Sequence, residues 1–175
     1  MEWTRIFHRR KEEEWPVKDR LGHEIMKLLV ERETGLVDAL DVLTRVMLGA
    51  LVAQCGNRDE FHLFYQQVRG FPTLAERDRA VGMIPYKHPG TDSRETTILT
   101  RTVAMIQEPE SINRLATEVG EIISKRRPSL PDGFNGLTGT MLTAIEATCG
   151  RERADEFDLL VGAFSREVRS GGRVQ

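Results

Sequence analysis

The sequence predicts an all-α protein: a single-domain helical bundle of about seven to eight helices with an internally duplicated helical hairpin. Three observations lead there. The segment from Leu43 to Gly56 returns without gaps as Leu137 to Gly150, sharing Leu, Thr, Met, Leu, Ala, Ala, Cys and Gly. All seven prolines (16, 72, 85, 89, 109, 128 and 131) fall where helical periodicity stops or restarts, positions that tolerate a residue without an amide donor. No stretch shows the alternation of a half-buried strand.

The elements follow in chain order. Residues 1–18 read as an N-terminal arm and residues 19–169 as the helical domain. Helices are expected over 19–32, 35–54, 58–69, 74–82, 93–107, 109–126, 134–148 and 152–169, and residues 170–175 read as a frayed tail. Asn57 with Glu60, Thr73 with Glu76 and Asp92 with Glu95 match the pattern in which a cap oxygen and a third-position carboxylate satisfy orphan amides reciprocally. Gly56, Gly70 and Gly150 stand where a left-handed residue closes a helix, and Pro109 suits a first helical position.

Helix 35–54 carries Leu36, Leu40, Leu43, Met47, Ala50 and Leu51 at helical spacing, and helix 134–148 carries Phe134, Leu137, Met141, Ala144 and Ile145 in matching rows. After each Cys-Gly corner the correspondence continues. Phe61, Phe64, Tyr65 and Val68 align with Phe157, Leu160, Val161 and Phe164 once a two-residue insertion near Arg153-Ala154 is allowed. The hairpin copies are thus residues 35–69 and 134–169, with 71–128 as the unduplicated insert. Each copy leaves an apolar face uncovered, so the two should pack by a pseudo-twofold relation into a four-helix core around Met47 and Met141. Small residues on the long helices (Gly49, Ala50 and Ala53; Gly139, Ala144 and Ala147) would let backbones approach and offset the ~1 kcal/mol a helical glycine costs.

Composition bounds the function. A chain of 175 residues, 39% hydrophobic and 30% charged, suits one packed domain. A net charge of -2 offers no global field for steering polyanions, which makes nucleic acid an unlikely partner. The basic runs Arg9-Arg10-Lys11 and Lys125-Arg126-Arg127 lack the interleaved aromatics that stack bases. Two cysteines make no disulfide framework, no secretory h-region opens the chain, and Asp38, Asp41 and Arg45 interrupt its most apolar stretch; the expectation is a cytoplasmic protein with no membrane span. Asp41 and Arg45, one helical turn apart, should pair.

Chemistry-bearing patterns are sparse. His23-Glu24 opens what would be a zinc-protease helix, but Lys27 stands where the second histidine ligand belongs. Cys55 and Cys149 sit at helix C-termini, where the carbonyl end of the dipole disfavours a thiolate, and read as small buried hydrophobes. Asp59-Glu60 and Asp155-Glu156 fall in first turns, where negative charge complements the dipole. No catalytic residue, metal ligand or cofactor is assigned.

Two readings of function follow. The first is a non-catalytic protein-protein interaction or regulatory module that self-associates or binds another protein through Trp3, Phe7, Trp15, Phe64 and Tyr65. The alternative is a sensor or enzyme for a small anionic ligand held by Tyr86, Lys87, His88 and Arg94, in a polar loop feeding a helix N-terminus.

Overall fold

The computed structural model describes residues 17–72 and 109–171, without the side chains of residues 17–19, 109 and 171. Among the described residues there are six α-helices and no strand run: α1 (Val17–Glu31), α2 (Leu36–Cys55), α3 (Asp59–Gly70), α4 (Pro109–Arg126), α5 (Leu130–Cys149) and α6 (Arg151–Gly171). The helices expected over 74–82 and 93–107, with the capping boxes Thr73/Glu76 and Asp92/Glu95, lie outside the described residues.

The helices stack in three layers of two. α1 and α4 touch each other, α2 and α5 form the middle, and α3 meets α6. Between layers, α2 packs on α3 and α5 on α6, whereas α1 packs on α5 and α4 packs on α2. The core draws on all six helices rather than on four. Leu21, Ile25 and Leu29 of α1 and Ile112, Leu115 and Val119 of α4 are buried alongside the stripes of α2 and α5. Met47 and Met141 are both buried in this core, and the Thr44 hydroxyl donates to the Met141 sulfur at 3.6 Å. Of the expected small-residue contacts, only Ala144 is buried; Gly49, Ala50, Ala53 and Ala147 face solvent, because the helices instead close at Gly22. A Cβ there would lie 3.3 Å from Thr140 Oγ1 and 3.6 Å from the Gly136 carbonyl oxygen, so α1 meets α5 nearly backbone to backbone.

Three helix ends differ from the sequence expectation. α3 starts from Arg58, whose side chain makes no cap bond, so Asn57 and Glu60 form no capping box. Glu60 instead takes the Arg58 guanidinium at 2.8 Å. α5 begins at Leu130, four residues before the expected start. Ser129 caps it by accepting the Asp132 amide at 3.2 Å, and Pro131 sits in the first turn, where its missing donor costs nothing. Gly70 is the last residue of α3, not a left-handed closure; Phe71 after it is right-handed.

Gly56 and Gly150 do close α2 and α5, but at φ 77°, ψ 175° and φ 92°, ψ 170°. This is the region beyond left-handed helix that only glycine occupies without strain. Each amide still completes the helical ladder, Gly56 to the Val52 carbonyl at 2.8 Å and Gly150 to the Glu146 carbonyl at 3.0 Å. Beyond the end of α1, Glu33 turns left-handed with φ 52°, and there Thr34 donates to the Leu29 carbonyl and Glu33 to the Val30 carbonyl. Just past α4, Arg127 does the same with φ 47° and donates to the Ile123 carbonyl, while Pro128 has no amide to supply a second bond.

Candidate docking surface

The outer layer is built on aromatic side chains from both hairpins. Phe164 of α6 stacks on Phe64 of α3 with centroids 4.1 Å apart and rings 15° from parallel, meets the edge of Phe61 at 6.0 Å, and lies 6.4 Å from Phe134 of α5. At the far end Phe71 meets Phe157 edge-on at 5.1 Å, so α3 and α6 run antiparallel. An arginine at the start of each helix ties the ends. Arg58 lies over the Phe61 ring at 5.6 Å and donates to the Val168 carbonyl at 3.2 Å. Arg153 lies over the Phe71 ring at 4.3 Å, donates to the Phe71 carbonyl at 2.7 Å, and pairs with Glu156. Both guanidiniums thereby cap the carbonyl end of the neighbouring helix while covering an aromatic face.

Phe64 is therefore not available for docking: it is buried beneath Phe164, which corrects its assignment to an exposed flank. The error lay in treating an aromatic stripe as solvent-facing when the partner hairpin supplies its cover. Tyr65 stays half-buried, and its hydroxyl donates to Asp41 Oδ1 at 2.6 Å. The same oxygen receives Arg45 Nε at 3.1 Å, so the expected one-turn pair is present and carries a third member. Burial, then the hydrogen bond to Asp41, raises the Tyr65 pKa, which keeps the phenol neutral. Asp41 Oδ1 thus takes both donors, and the cluster ties α3 to α2.

What the outer layer exposes is leucine. Leu63 is 57% exposed on α3 and Leu159 is 75% exposed on α6. Each follows the buried phenylalanine of its helix by two residues, within Asp59-Glu60-Phe61-His62-Leu63 and Asp155-Glu156-Phe157-Asp158-Leu159. Sequence reasoning paired these segments through their aromatics and passed over the leucines, although the shared Asp-Glu-Phe-x-Leu pattern was there to find.

The remaining candidates divide in two. Trp3, Phe7 and Trp15 of the docking reading, and Tyr86, Lys87, His88 and Arg94 of the ligand reading, lie outside the described residues. Cys55 is exposed rather than buried, because α2 runs past the core into solvent at its last turn, and Cys149 is half-buried; neither forms a disulfide. Glu24, beside His23, receives the guanidinium of Arg126, with Nε at 3.0 Å, and that bond holds its carboxyl below the ordinary value. His62 bonds Gln66 at 2.9 Å. Among the described residues no three His, Cys, Asp or Glu side chains converge on a point where a metal would sit, and no helix is long and apolar enough to cross a membrane. No family model, curated protein or solved structure matches the chain.

Proposed function

We propose that this protein is a non-catalytic helical interaction or regulatory module, built on a duplicated hairpin, that associates with a second copy of itself. The observation that carries the reading is the paired exposure of Leu63 and Leu159. An apolar side chain kept in water at the same place of both hairpins, above an otherwise closed aromatic layer, is the form a contact anchor takes. Trp3, Phe7 and Trp15 are proposed to extend the contact. The hairpin duplication is supported by two 20-residue helices that each end in Cys, close on a glycine at positive φ and lead into an aromatic-bearing helix. Two cysteines outside any disulfide fit a cytoplasmic setting.

Sedimentation equilibrium tests the proposal. The wild-type chain should show a concentration-dependent dimer, and Leu63→Asp with Leu159→Asp should lower its association at least tenfold while leaving the helical circular dichroism unchanged. A wild-type chain that stays monomeric throughout, or a double variant that associates as well as wild type, overturns it. A thermal-shift screen of phosphorylated and carboxylated metabolites addresses the ligand reading, since a ligand at a hundredfold excess over its Kd stabilises the native state by ~2.7 kcal/mol.

A further inference from the structure

We infer that residues 17–72 and 109–171 are two copies of one three-helix unit, interlocked about a pseudo-twofold axis, so that each half carries a self-complementary surface whose occupant is another copy of the same unit. This goes beyond the hairpin duplication, because it brings α1 and α4 into the repeat and assigns the first helix of each unit to the other unit's core.

The register decides it first. Carrying the spacing of the Cys-Gly corners back toward the N-terminus, without a gap, matches Arg20 with Arg114, Leu21 with Leu115, Glu24 with Glu118, Arg32 with Arg126, Leu36 with Leu130 and Asp38 with Asp132. Arg114, Leu115, Glu118 and Arg126 lie in the segment 71–128, which the hairpin repeat alone leaves as an insert, and Leu130 and Asp132 lie between that insert and the second hairpin copy. The backbone obeys the same register. Among the described residues the non-glycine positions with positive φ are Glu33 and Arg127, which it pairs, and the glycines with positive φ are Gly56 and Gly150, which it also pairs. A left-handed non-glycine residue is uncommon enough that two at matched places point to one inherited turn.

The ion pairs then show the axis. Arg32 clasps Glu118 through two bonds, Nε at 3.0 Å and Nη2 at 2.6 Å, and Arg126 clasps Glu24 in the same forked manner. Exchanging each residue for its register mate turns the first contact into the second. The relation is therefore between copies and reciprocal, which is the signature of a twofold, self-complementary interface. Helix packing repeats it. Under the exchange of α1 with α4, α2 with α5 and α3 with α6, the α1–α5 contact becomes α4–α2 and the α2–α3 contact becomes α5–α6. The α1–α4, α2–α5 and α3–α6 contacts map onto themselves.

The consequence is interlocking. Leu21, Ile25 and Leu29 of α1, and Ile112, Leu115 and Val119 of α4, are buried in a core that each half completes only with the other. One half by itself would leave its first helix without a bed and its central helix without a cover. The chain is thus organised as a dimer joined head to tail, with residues 73–108 as the covalent join that keeps the two units at high effective concentration.

The test uses the full-length chain with Cys55→Ser and Cys149→Ser and spin labels at exposed, register-matched sites. A label pair at Lys27→Cys and Asp158→Cys spans from the first unit to the second, and a pair at Glu121→Cys and His62→Cys spans the reverse way. The axis requires the two measured distance distributions to coincide; clearly different mean distances overturn the inference. A permuted chain, with 109–171 first, 73–108 as connector and 17–72 last, makes the same inter-unit contacts and should retain native helicity and one cooperative unfolding step. A folded permutant whose two label distances differ would also overturn it, and if the permutant does not fold the full-length distances decide. The labels at His62 and Asp158 border Leu63 and Leu159, so the distances are read with labelled chain diluted in excess unlabelled chain, which makes the outcome independent of the proposed self-association.

Discussion

Replacing Phe164 by alanine probes the packing that joins the two hairpins. The side chain is buried, stacked on Phe64 at 4.1 Å, and in ring contact with Phe61 of α3 and Phe134 of α5, so its loss opens a cavity bordered by three helices. A buried Phe→Ala change costs about 3–5 kcal/mol, and the upper half of that range is expected here because Phe64 and Phe61 are held by their own helix and cannot collapse into the space. For a chain of this length each kcal/mol lowers Tm by roughly 2–4 °C, so the melting point should fall by roughly 8–20 °C. Phe164→Leu keeps most of the apolar volume and loses the stack, for a cost of about 1.5 kcal/mol. Leu159→Ala, on the same helix but 75% exposed, serves as the control when the chain is diluted to monomer, and should there lie within about 0.5 kcal/mol of wild type. Urea unfolding followed by circular dichroism reads all three. A cost for Phe164→Ala below about 1 kcal/mol, or no greater than that of the Leu159 control, would mean that the ring does not join the two hairpins.

Gly56→Ala and Gly150→Ala each force a side chain into backbone geometry with φ of 77° and 92°, and each should lose about 1–3 kcal/mol in the same assay, although neither Cβ would meet an obstacle. Double-mutant cycles on Arg32 with Glu118 and on Arg126 with Glu24 should return similar couplings of about 0.2–1 kcal/mol that shrink in high salt; a coupling confined to one pair would contradict their reciprocal geometry. The Glu24 carboxyl is lowered by its bond from Arg126, so its contribution is present above the ordinary carboxylate range and lost as pH falls through its folded value. Glu24→Gln should accordingly lower stability at neutral and alkaline pH and leave it little changed in acid below the folded value, so that the acid slope of the profile flattens. The Tyr65 pKa is raised, so its contribution is complete below the ordinary tyrosine range and lost as pH rises through the folded value. The phenolate absorbance should appear at higher pH in the native protein than in urea, and an equal midpoint in both would remove the Asp41 bond from the account.

Much of the fold could be read from residue order alone, because helices are local. The stripes Leu36, Leu40, Leu43 and Met47, and Leu137, Met141 and Ile145, repeat at helical spacing, and their burial follows wherever the helix is placed. Pro109 and the Cys-Gly corners mark ends because a missing amide or a missing Cβ acts on its own turn. The start of α5 was harder. Pro131 and Gly133 look like breakers, and only the Ser129 cap, itself a short-range signal, shows that they lie inside a first turn.

The docking residues were less legible, for a different reason. Whether Phe64 or Leu63 meets water depends on where α6 lies, and that position is set by side chains far away in the chain. The same holds for Glu24: its neighbours in sequence suggest half a metal site, whereas Arg126 arrives from α4 to claim the carboxylate.

Sequence by itself determined the helical class, most helix limits among the described residues, the Asp41–Arg45 pair and the apolar faces, since all of these depend on groups within a few residues of one another. Only the tertiary structure decided that α1 beds on α5 and α4 on α2, that Phe164 seals Phe64, and that Leu63 and Leu159 remain outside. A helix carries its apolar stripe wherever it goes, but the stripe does not name its partner; that choice is made by the joint packing of all six helices.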